Sequence, residues 1–340
     1  MPLKIGVNGF GRVGRALLRA WLMRREQSPV QIVAVNDLGD PANLAYLMSY
    51  DTVYPFKPHN FHYDADKHVL DFDGHPVALS NAPSPQECPW QPHDVEWVVE
   101  CTGSQRTWAA AQGHFAAGAA RVLVSAPTED PPDAALVFGA NHMDYDPAIH
   151  RFIGAASCTT HALAAVCKPI LHHYGIDGVM MSEIHAVTVD QTVLDTVHPN
   201  WVRGRAACFN MIPTDTTGDK VIGAILPALA GKVSGYSMRV PVACGACLDL
   251  TIKLHRTTNM NELLDFLDHA SIYSQGVLAL ETAPLVSSDY LGCPASAVID
   301  VNHLRILGDM LHVLAWYDNE WGYVNRLLDF LEFVARREPN

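Results

Sequence analysis

Near the middle of the chain, Cys158 is flanked by hydroxyl residues in Ala156-Ser157-Cys158-Thr159-Thr160-His161 and followed by an apolar, helix-like run, Ala162-Leu163-Ala164-Ala165-Val166. The pattern predicts a strand-to-helix turn at the cysteine. Backbone N–H groups and the helix dipole at such a turn lower a thiol pKa and favour the nucleophilic thiolate. A buried cysteine also serves as an inert small hydrophobe, so the thiol alone does not define a nucleophile. Two other features bear on it: a nucleotide-binding signature before it and an isolated candidate base, His185, after it.

The nucleotide signature is Gly9-Phe10-Gly11-Arg12-Val13-Gly14, preceded by the apolar strand Leu3–Asn8 and followed by a helix expected through about Arg25. In GxGxxG the first glycine permits the tight turn and the second lets backbone approach a pyrophosphate. The third lets helix and strand pack closely, with the helix N-terminus facing the phosphates. A second strand, Gln31–Val35, ends at Asn36-Asp37, where the carboxylate of Asp37 can accept hydrogen bonds from both ribose hydroxyls. Leu38-Gly39-Asp40 brings no Arg or Lys for a 2′-phosphate, so the cofactor expected is NAD rather than NADP.

These motifs need elements to carry them. The chain has 340 residues, 49% of them hydrophobic, enough for two domains with a core each. Its net charge of −13 argues against nucleic acid or an anionic membrane as a main partner. Neither a signal peptide nor an apolar run of membrane-spanning length is visible, which predicts a soluble, cytoplasmic protein. The eight dispersed cysteines fit a reduced compartment. Cys244-Gly245-Ala246-Cys247 has CxxC spacing without a second pair, lies in a stretch read as one strand from Arg239 to Lys253, and is expected to be structural; no metal is predicted.

An irregular meander is expected over Asp51–Pro92, with a hairpin at Val69–Gly74. Strands follow at Trp97–Cys101 and Arg121–Ser125. Ligands bind at the carboxyl ends of parallel strands, so Thr102 and Ser125 line the cofactor cleft or else serve as turn hydroxyls. From about Gly178 longer strands are expected at Val179–Val189, Gly235–Val242, Leu248–Leu254 and Ala297–Val301, with helices near Asp219–Leu229 and Met260–Ser271. The fold class is therefore α/β: a Rossmann NAD-binding domain, 1–157 plus a C-terminal amphipathic helix at 323–340, and an α+β catalytic domain with an antiparallel sheet, 158–322.

Asn8–Arg15, Glu100-Cys101-Thr102-Gly103, Ser125-Ala126-Pro127, Ser157-Cys158-Thr159-Thr160, Arg239-Val240-Pro241 and Trp316–Tyr323 occur in this order. Together they closely resemble the glyceraldehyde-3-phosphate dehydrogenase family, which includes erythrose-4-phosphate dehydrogenase. The resemblance implies a nucleophile at Cys158 and a general base at His185. It implies oxidation of a phosphorylated aldose by NAD through a thiohemiacetal and a thioester, with inorganic phosphate or water as acyl acceptor. It further implies that Arg239 grips the substrate phosphate, that Ser157, Thr159, Thr188 and Thr216 sit at or near its contacts, and that Asn319 holds the nicotinamide carboxamide. A homotetramer is implied, in which the segment from about Val187 to Phe209 approaches a neighbour's cofactor. An imidazole suits the base role independently, because its ordinary pKa lies near neutrality.

The chain departs from the family pattern in places. His161 stands where the family usually has Asn; one helical turn beyond Cys158, it perturbs the thiolate, rivals His185 as base, or fills a polar niche. Asp190 replaces a threonine of the triose enzymes, and a carboxylate beside a phosphate site is unfavourable unless an Arg or Lys pairs with it. The stretch from Asp190-Gln191 to Arg205-Ala206-Ala207, like Pro284–Ser287, is more similar to the erythrose branch, whereas Asn36-Asp37 is similar to the triose enzymes. Two rivals remain: a semialdehyde dehydrogenase of similar fold, and a non-catalytic NAD-binding paralogue.

Overall fold

The structure, a computed structural model, describes residues 1–55 and 61–338. Residues 56–60 of the expected meander and 339–340 of the C-terminal segment lie outside the described residues. The chain forms two compact units: Met1–Leu136, His142–Ala156 and Leu327–Asn340 make the first, and Val137–Asn141 with Ser157–Arg326 the second.

The first unit begins with β1 (Leu3–Asn8), α1 (Arg12–Arg24), β2 (Val30–Asn36) and α2 (Pro41–Ser49). There follow β3 (Phe61–Asp64), β4 (Val69–Phe72), β5 (His75–Ser80), β6 (Trp97–Glu100), α3 (Trp108–Ala116), β7 (Arg121–Val124), β8 (Ala134–Ala135) and β9 (Phe152–Gly154). The strands run in the order β3-β4-β5-β2-β1-β6-β7-β9-β8. From β5 to β8 every pairing is parallel, and the antiparallel β3–β4–β5 meander forms one edge. β1 and β6 are nearly all buried because both faces of the sheet are covered, the reading expected of parallel strands. The expected hairpin is present, and Asp73-Gly74 turns it with φ of 56° and 82°. Strand order reverses across β1 and β6, which opens a crevice at their carboxyl ends.

The second unit contains α4 (Cys158–Tyr174), β10 (Ile176–Ala186), β11 (Ile212–Thr214), α5 (Gly218–Ile225), β12 (Val233–Val240) and β13 (Ala246–Leu254). It continues with α6 (Met260–Tyr273), β14 (Leu278–Glu281), β15 (Ala297–Asp300), β16 (Arg305–Leu307) and β17 (Met310–Tyr317). The sheet order is β11-β12-β10-β13-β17-β15-β14, with β16 beside β17. The sheet is mixed rather than antiparallel: β10 pairs β12 in parallel, as β14 pairs β15. The long connections through α5 and from β14 to β15 return each strand in the same direction, as parallel pairing requires.

Two readings of strands change. The stretch from Arg239 to Lys253 is not one strand; it breaks after Val240, and Gly245 takes φ of 96°, so Cys244 lies in the turn and Cys247 in β13. β17 was not anticipated, because its outward Met310, Leu314 and Trp316 are nearly as apolar as its inward Leu311, Val313 and Ala315, which blurs the alternation. α4 packs on β10, β13, β15 and β17, so the helix that starts at Cys158 rests on the strand that ends in His185-Ala186. The last helix, α7 (Trp321–Arg337), belongs to the first unit from Leu327 onward and is fixed there by Asp329 to Arg24 at 2.5 Å.

Candidate active site

The glycine loop of the first unit has the geometry its sequence requires. Gly9 takes φ of 93°, and a Cβ there would lie 2.6 Å from the backbone nitrogen of Thr102. At Gly14 a Cβ would run into the carbonyl oxygen of Gly9, so helix and strand meet as closely as the third glycine predicts. A Cβ on Gly11 would meet nothing within 4 Å, which leaves that side open for a ligand. α1 starts without a side-chain cap and without an acid in its first turn, so the positive end of its dipole is not offset by a carboxylate of its own.

Beside the loop is a cleft of about 280 Å³, lined in part by Gly9, Gly11, Asp37, Ser84, Thr102 and Gln105. Asp37 Oδ2 accepts from the Phe10 N–H at 2.6 Å and Oδ1 from the Gly39 N–H at 2.7 Å, which ties the acid to the loop. Among the described residues no Arg or Lys lines the cleft, and the charged side chain there, Asp37, disfavours a 2′-phosphate. Phe10 is buried beneath the loop and Val13 lies on α1. The side chain of Arg12 is held by Asp51, its Nη1 lying 2.9 and 2.8 Å from the two carboxylate oxygens. Thr102 lines the cleft and donates its N–H to the buried Glu100 at 2.7 Å. Ser125 is a turn hydroxyl that donates to the Glu100 carbonyl at 2.9 Å. These residues fit NAD.

In the second unit Cys158 is the first residue of α4, and Ala156 just before it takes φ of 53°, a left-handed conformation unusual for a residue with a Cβ. Ser157 caps the helix, accepting from the Thr160 N–H at 3.2 Å. Cys158 Sγ faces His185 Nε2 at 3.6 Å. His185 Nδ1 lies 2.7 Å from the Ala186 carbonyl oxygen and 2.6 Å from Arg239 Nη1, which also donates to that carbonyl at 3.3 Å. A carbonyl only accepts and a guanidinium only donates, so Nδ1 serves one of them at a time. With Nδ1–H on the carbonyl, Nε2 turns a lone pair toward the sulfur and is a base. With Nδ1 accepting from Arg239, Nε2–H faces the sulfur as a donor.

The electrostatics differ from the expectation for the thiol. Cys158 is pushed up to about 12, chiefly by burial and then by Glu183, while Arg239 and Thr159 pull the other way. Burial and Arg239 together hold His185 below the usual imidazole value. The pull of the helix N-terminus on the thiol is thus opposed by burial and by Glu183.

The remaining candidates fall into groups. Thr159 turns inward, its Oγ1 donating to Glu183 Oε1 at 2.7 Å and lying 3.3 Å from the Tyr317 hydroxyl. Thr216 is buried at the start of α5, where a Cβ on Gly218 would touch both Thr216 and Thr159, so these two threonines are neighbours. Thr188 lies beyond the end of β10, and its N–H and hydroxyl both donate to Gln191 Oε1 at 2.9 Å. Asn319 accepts from the Gly245 N–H at 2.8 Å and from Cys244 Sγ at 3.4 Å, which explains Cys244 as part of a turn. All eight cysteines are free. His161 is buried, with its ring edge-on to Tyr323 at 5.1 Å, the niche-filling alternative; the ring nitrogen facing the sulfur is that of His185. Asp190 pairs with Arg203, with His198 at 3.5 Å, so its charge is compensated and its carboxyl is held below the usual range by those hydrogen bonds despite partial burial.

Glu183 was not singled out from the sequence, and Tyr317 entered only as part of the Trp316–Tyr323 motif. The signal for Glu183 was present: Glu183-Ile184-His185 sits in an alternating strand, where residues two apart share a face.

A dinucleotide-binding α/β unit, and a sheet-rich unit with a thiol–imidazole pair beside an arginine, together have the parts of an NAD-dependent aldehyde oxidoreductase. Residues 3–108 match the family model for the glyceraldehyde 3-phosphate dehydrogenase NAD binding domain, and residues 157–319 match that for its C-terminal domain. A glyceraldehyde-3-phosphate dehydrogenase of Pseudomonas aeruginosa is 42% identical over 339 residues, covering 99% of this chain and 100% of that protein. One of Mycobacterium leprae is 39% identical over 339 residues, 99% of each chain. One of Kitasatospora aureofaciens is 42% identical over 335 residues, 98% of this chain and 99% of its own. The chain belongs to the glyceraldehyde-3-phosphate dehydrogenase family, and it is an NAD-dependent oxidoreductase of that type.

Proposed function

We propose that this protein oxidises glyceraldehyde 3-phosphate, with Cys158 as nucleophile, His185 as base and inorganic phosphate as acyl acceptor. The observation that carries the reading is Cys158 Sγ 3.6 Å from His185 Nε2, with Arg239 Nη1 on the other nitrogen of the same ring. The triose is preferred over erythrose 4-phosphate because the relatives described above are triose enzymes by name.

His185 Nε2 takes the proton of Cys158 as the sulfur adds to the aldehyde carbon, and returns it to the carbonyl oxygen to give the thiohemiacetal. Gly9, Gly11 and Asp37 would hold NAD, which would supply the oxidant that accepts the hydride. His185 removes the hydroxyl proton as that hydride leaves, and the thioester forms on Cys158. A phosphate oxygen then attacks the thioester carbon, and the sulfur departs and regains a proton from His185. Arg239 has an office at both ends: engaging the substrate phosphate frees His185 Nδ1 to donate to the Ala186 carbonyl, which leaves Nε2 as the base.

We also read the protein as a cytoplasmic homotetramer. Val189, Val197, Trp201 and Phe209 are 94%, 100%, 88% and 80% exposed in the single chain, an apolar segment that a neighbouring subunit would cover. No helix among the described residues is long and apolar enough to cross a membrane. The test of the activity is NADH production from the triose and from erythrose 4-phosphate, each with and without inorganic phosphate. Phosphate-dependent turnover of the triose supports the reading; turnover of the tetrose alone, without phosphate, overturns the substrate and acceptor.

A further inference from the structure

We propose that Glu183 is a positioning residue whose buried carboxylate stabilises the protonated form of His185 during the oxidation. The proposal rests on the reading of Cys158 and His185 as the reacting pair. Glu183 is 2% exposed and lies two residues before His185 on the inward face of β10. Its Oε1 lies 3.9 Å from His185 Nε2, the nitrogen that faces the sulfur, and is aimed by the hydroxyl of Thr159 at 2.7 Å.

The charged and titratable groups around it are Cys158 from α4, His185 from its own strand, Arg239 from β12 and Tyr317 from β17, while β13 sets the apolar Leu248 opposite Glu183. Arg239 is the cation of this set, and it stands against the ring of His185. When the thiohemiacetal O–H breaks, its electron pair closes the carbonyl as the hydride leaves for NAD, and its proton lands on Nε2. The imidazolium so formed lies in a buried site beside a guanidinium, an arrangement that like-charge repulsion and desolvation both oppose. A carboxylate within 4 Å of that nitrogen offsets both. The same negative charge also opposes a thiolate at Cys158, against the pull of Arg239 and Thr159.

The bland alternative is a carboxylate that ties β10 to α4 through Thr159. Glu183→Gln separates the two, since the amide oxygen still accepts from Thr159 while the charge is lost. Two pH profiles are measured on the full-length protein: alkylation of Cys158 by iodoacetamide, and the first-turnover burst of NADH from glyceraldehyde 3-phosphate. The proposal expects the Glu183→Gln alkylation midpoint to fall by about one pH unit. The acidic limb of the burst should move down with it, and the burst rate at pH 7 should drop about 10- to 100-fold. Glu183→Asp, with its charge drawn back, should fall between wild type and Glu183→Gln in both profiles. A folded Glu183→Gln protein with wild-type midpoints overturns the proposal; if that variant does not fold, a Glu183→Asp protein with wild-type midpoints does so. Failure of the underlying pair looks different: the NADH burst would survive Cys158→Ser with Glu183 intact.

Discussion

Cys158 and His185, 27 residues apart in sequence, meet at 3.6 Å because α4 begins at the cysteine and packs back on β10, whose inward face ends in the histidine. If this contact is the reacting pair, Cys158→Ser should lower turnover by more than about 10³-fold and His185→Asn by roughly 10²- to 10⁴-fold. NAD affinity, measured by titration calorimetry, should stay near wild type in both, since the glycine loop lies in the other unit. Substantial turnover by Cys158→Ser would sink the covalent mechanism.

The buried imidazole also gives the fold an acid-sensitive element. His185 is held below its ordinary value by burial first and by Arg239 second, against Glu183 and the Ala186 carbonyl. Between that folded value and about 6.5, the unfolded chain binds more protons than the folded one, so stability rises with pH across the window. The contribution is therefore complete above about pH 6.5 and lost as pH falls below it, by at most on the order of 1 kcal/mol per pH unit. Urea midpoints at pH 7.5 and pH 5 should differ less for His185→Asn than for wild type. An equal difference would mean that other groups dominate.

Beneath the glycine loop, Asp51 joins Arg12 at 2.8 Å and Arg19 at 3.3 Å, with Asp51 and Arg19 side chains only 2% and 1% exposed. Arg19 also donates to the carbonyls of Leu47 and Met48, so it cannot turn out to water without breaking them. Asp51→Asn should leave a buried guanidinium without its counter-charge and cost about 3–5 kcal/mol of unfolding free energy. Denaturation in urea measures it. A loss below about 1 kcal/mol would show that water reaches the pair.

Cofactor choice turns on one exposed position. Leu38 follows Asp37 at the cleft and is 71% exposed, so it is free to change without loss of packing. Leu38→Arg should bring a guanidinium to the place of a 2′-phosphate and raise kcat/KM with NADP about tenfold or more, while NAD use changes little. Coenzyme kinetics decide it, and an unchanged NADP rate would mean that Asp37 alone sets the preference.

Legibility in the sequence followed how local each signal is. Gly9, Gly11 and Gly14 were readable because a strand before and a helix after fix what each glycine is for. Cys158 and His185 were readable as residues but not as a pair, since only the packing of α4 on β10 joins them. The environment of the thiol was legible only in part: a helix N-terminus lowers a pKa locally, whereas burial and Glu183, which raise it, come from the tertiary fold. Asp190 looked unfavourable because Arg203, thirteen residues away, pairs with it only once the chain has turned. β17 was hidden by its apolar outward face, and an apolar outward face is itself a sign of something that covers it.

That sign is strongest between Val189 and Met211, where Val193, Leu194, Trp201, Phe209 and Met211 are exposed around the paired Asp190 and Arg203. A soluble chain rarely presents so many large apolar side chains together unless another surface meets them. Trp201→Asp removes the largest of them and places a carboxylate where a dry contact would form, without touching a buried residue, so monomer stability should change by less than about 0.5 kcal/mol. Sedimentation of the wild-type protein at micromolar concentration should give a tetramer, and Trp201→Asp should shift it toward smaller species with a fall in specific activity. A wild-type protein that sediments as an active monomer would leave this apolar segment without a subunit to meet and would end the tetramer reading.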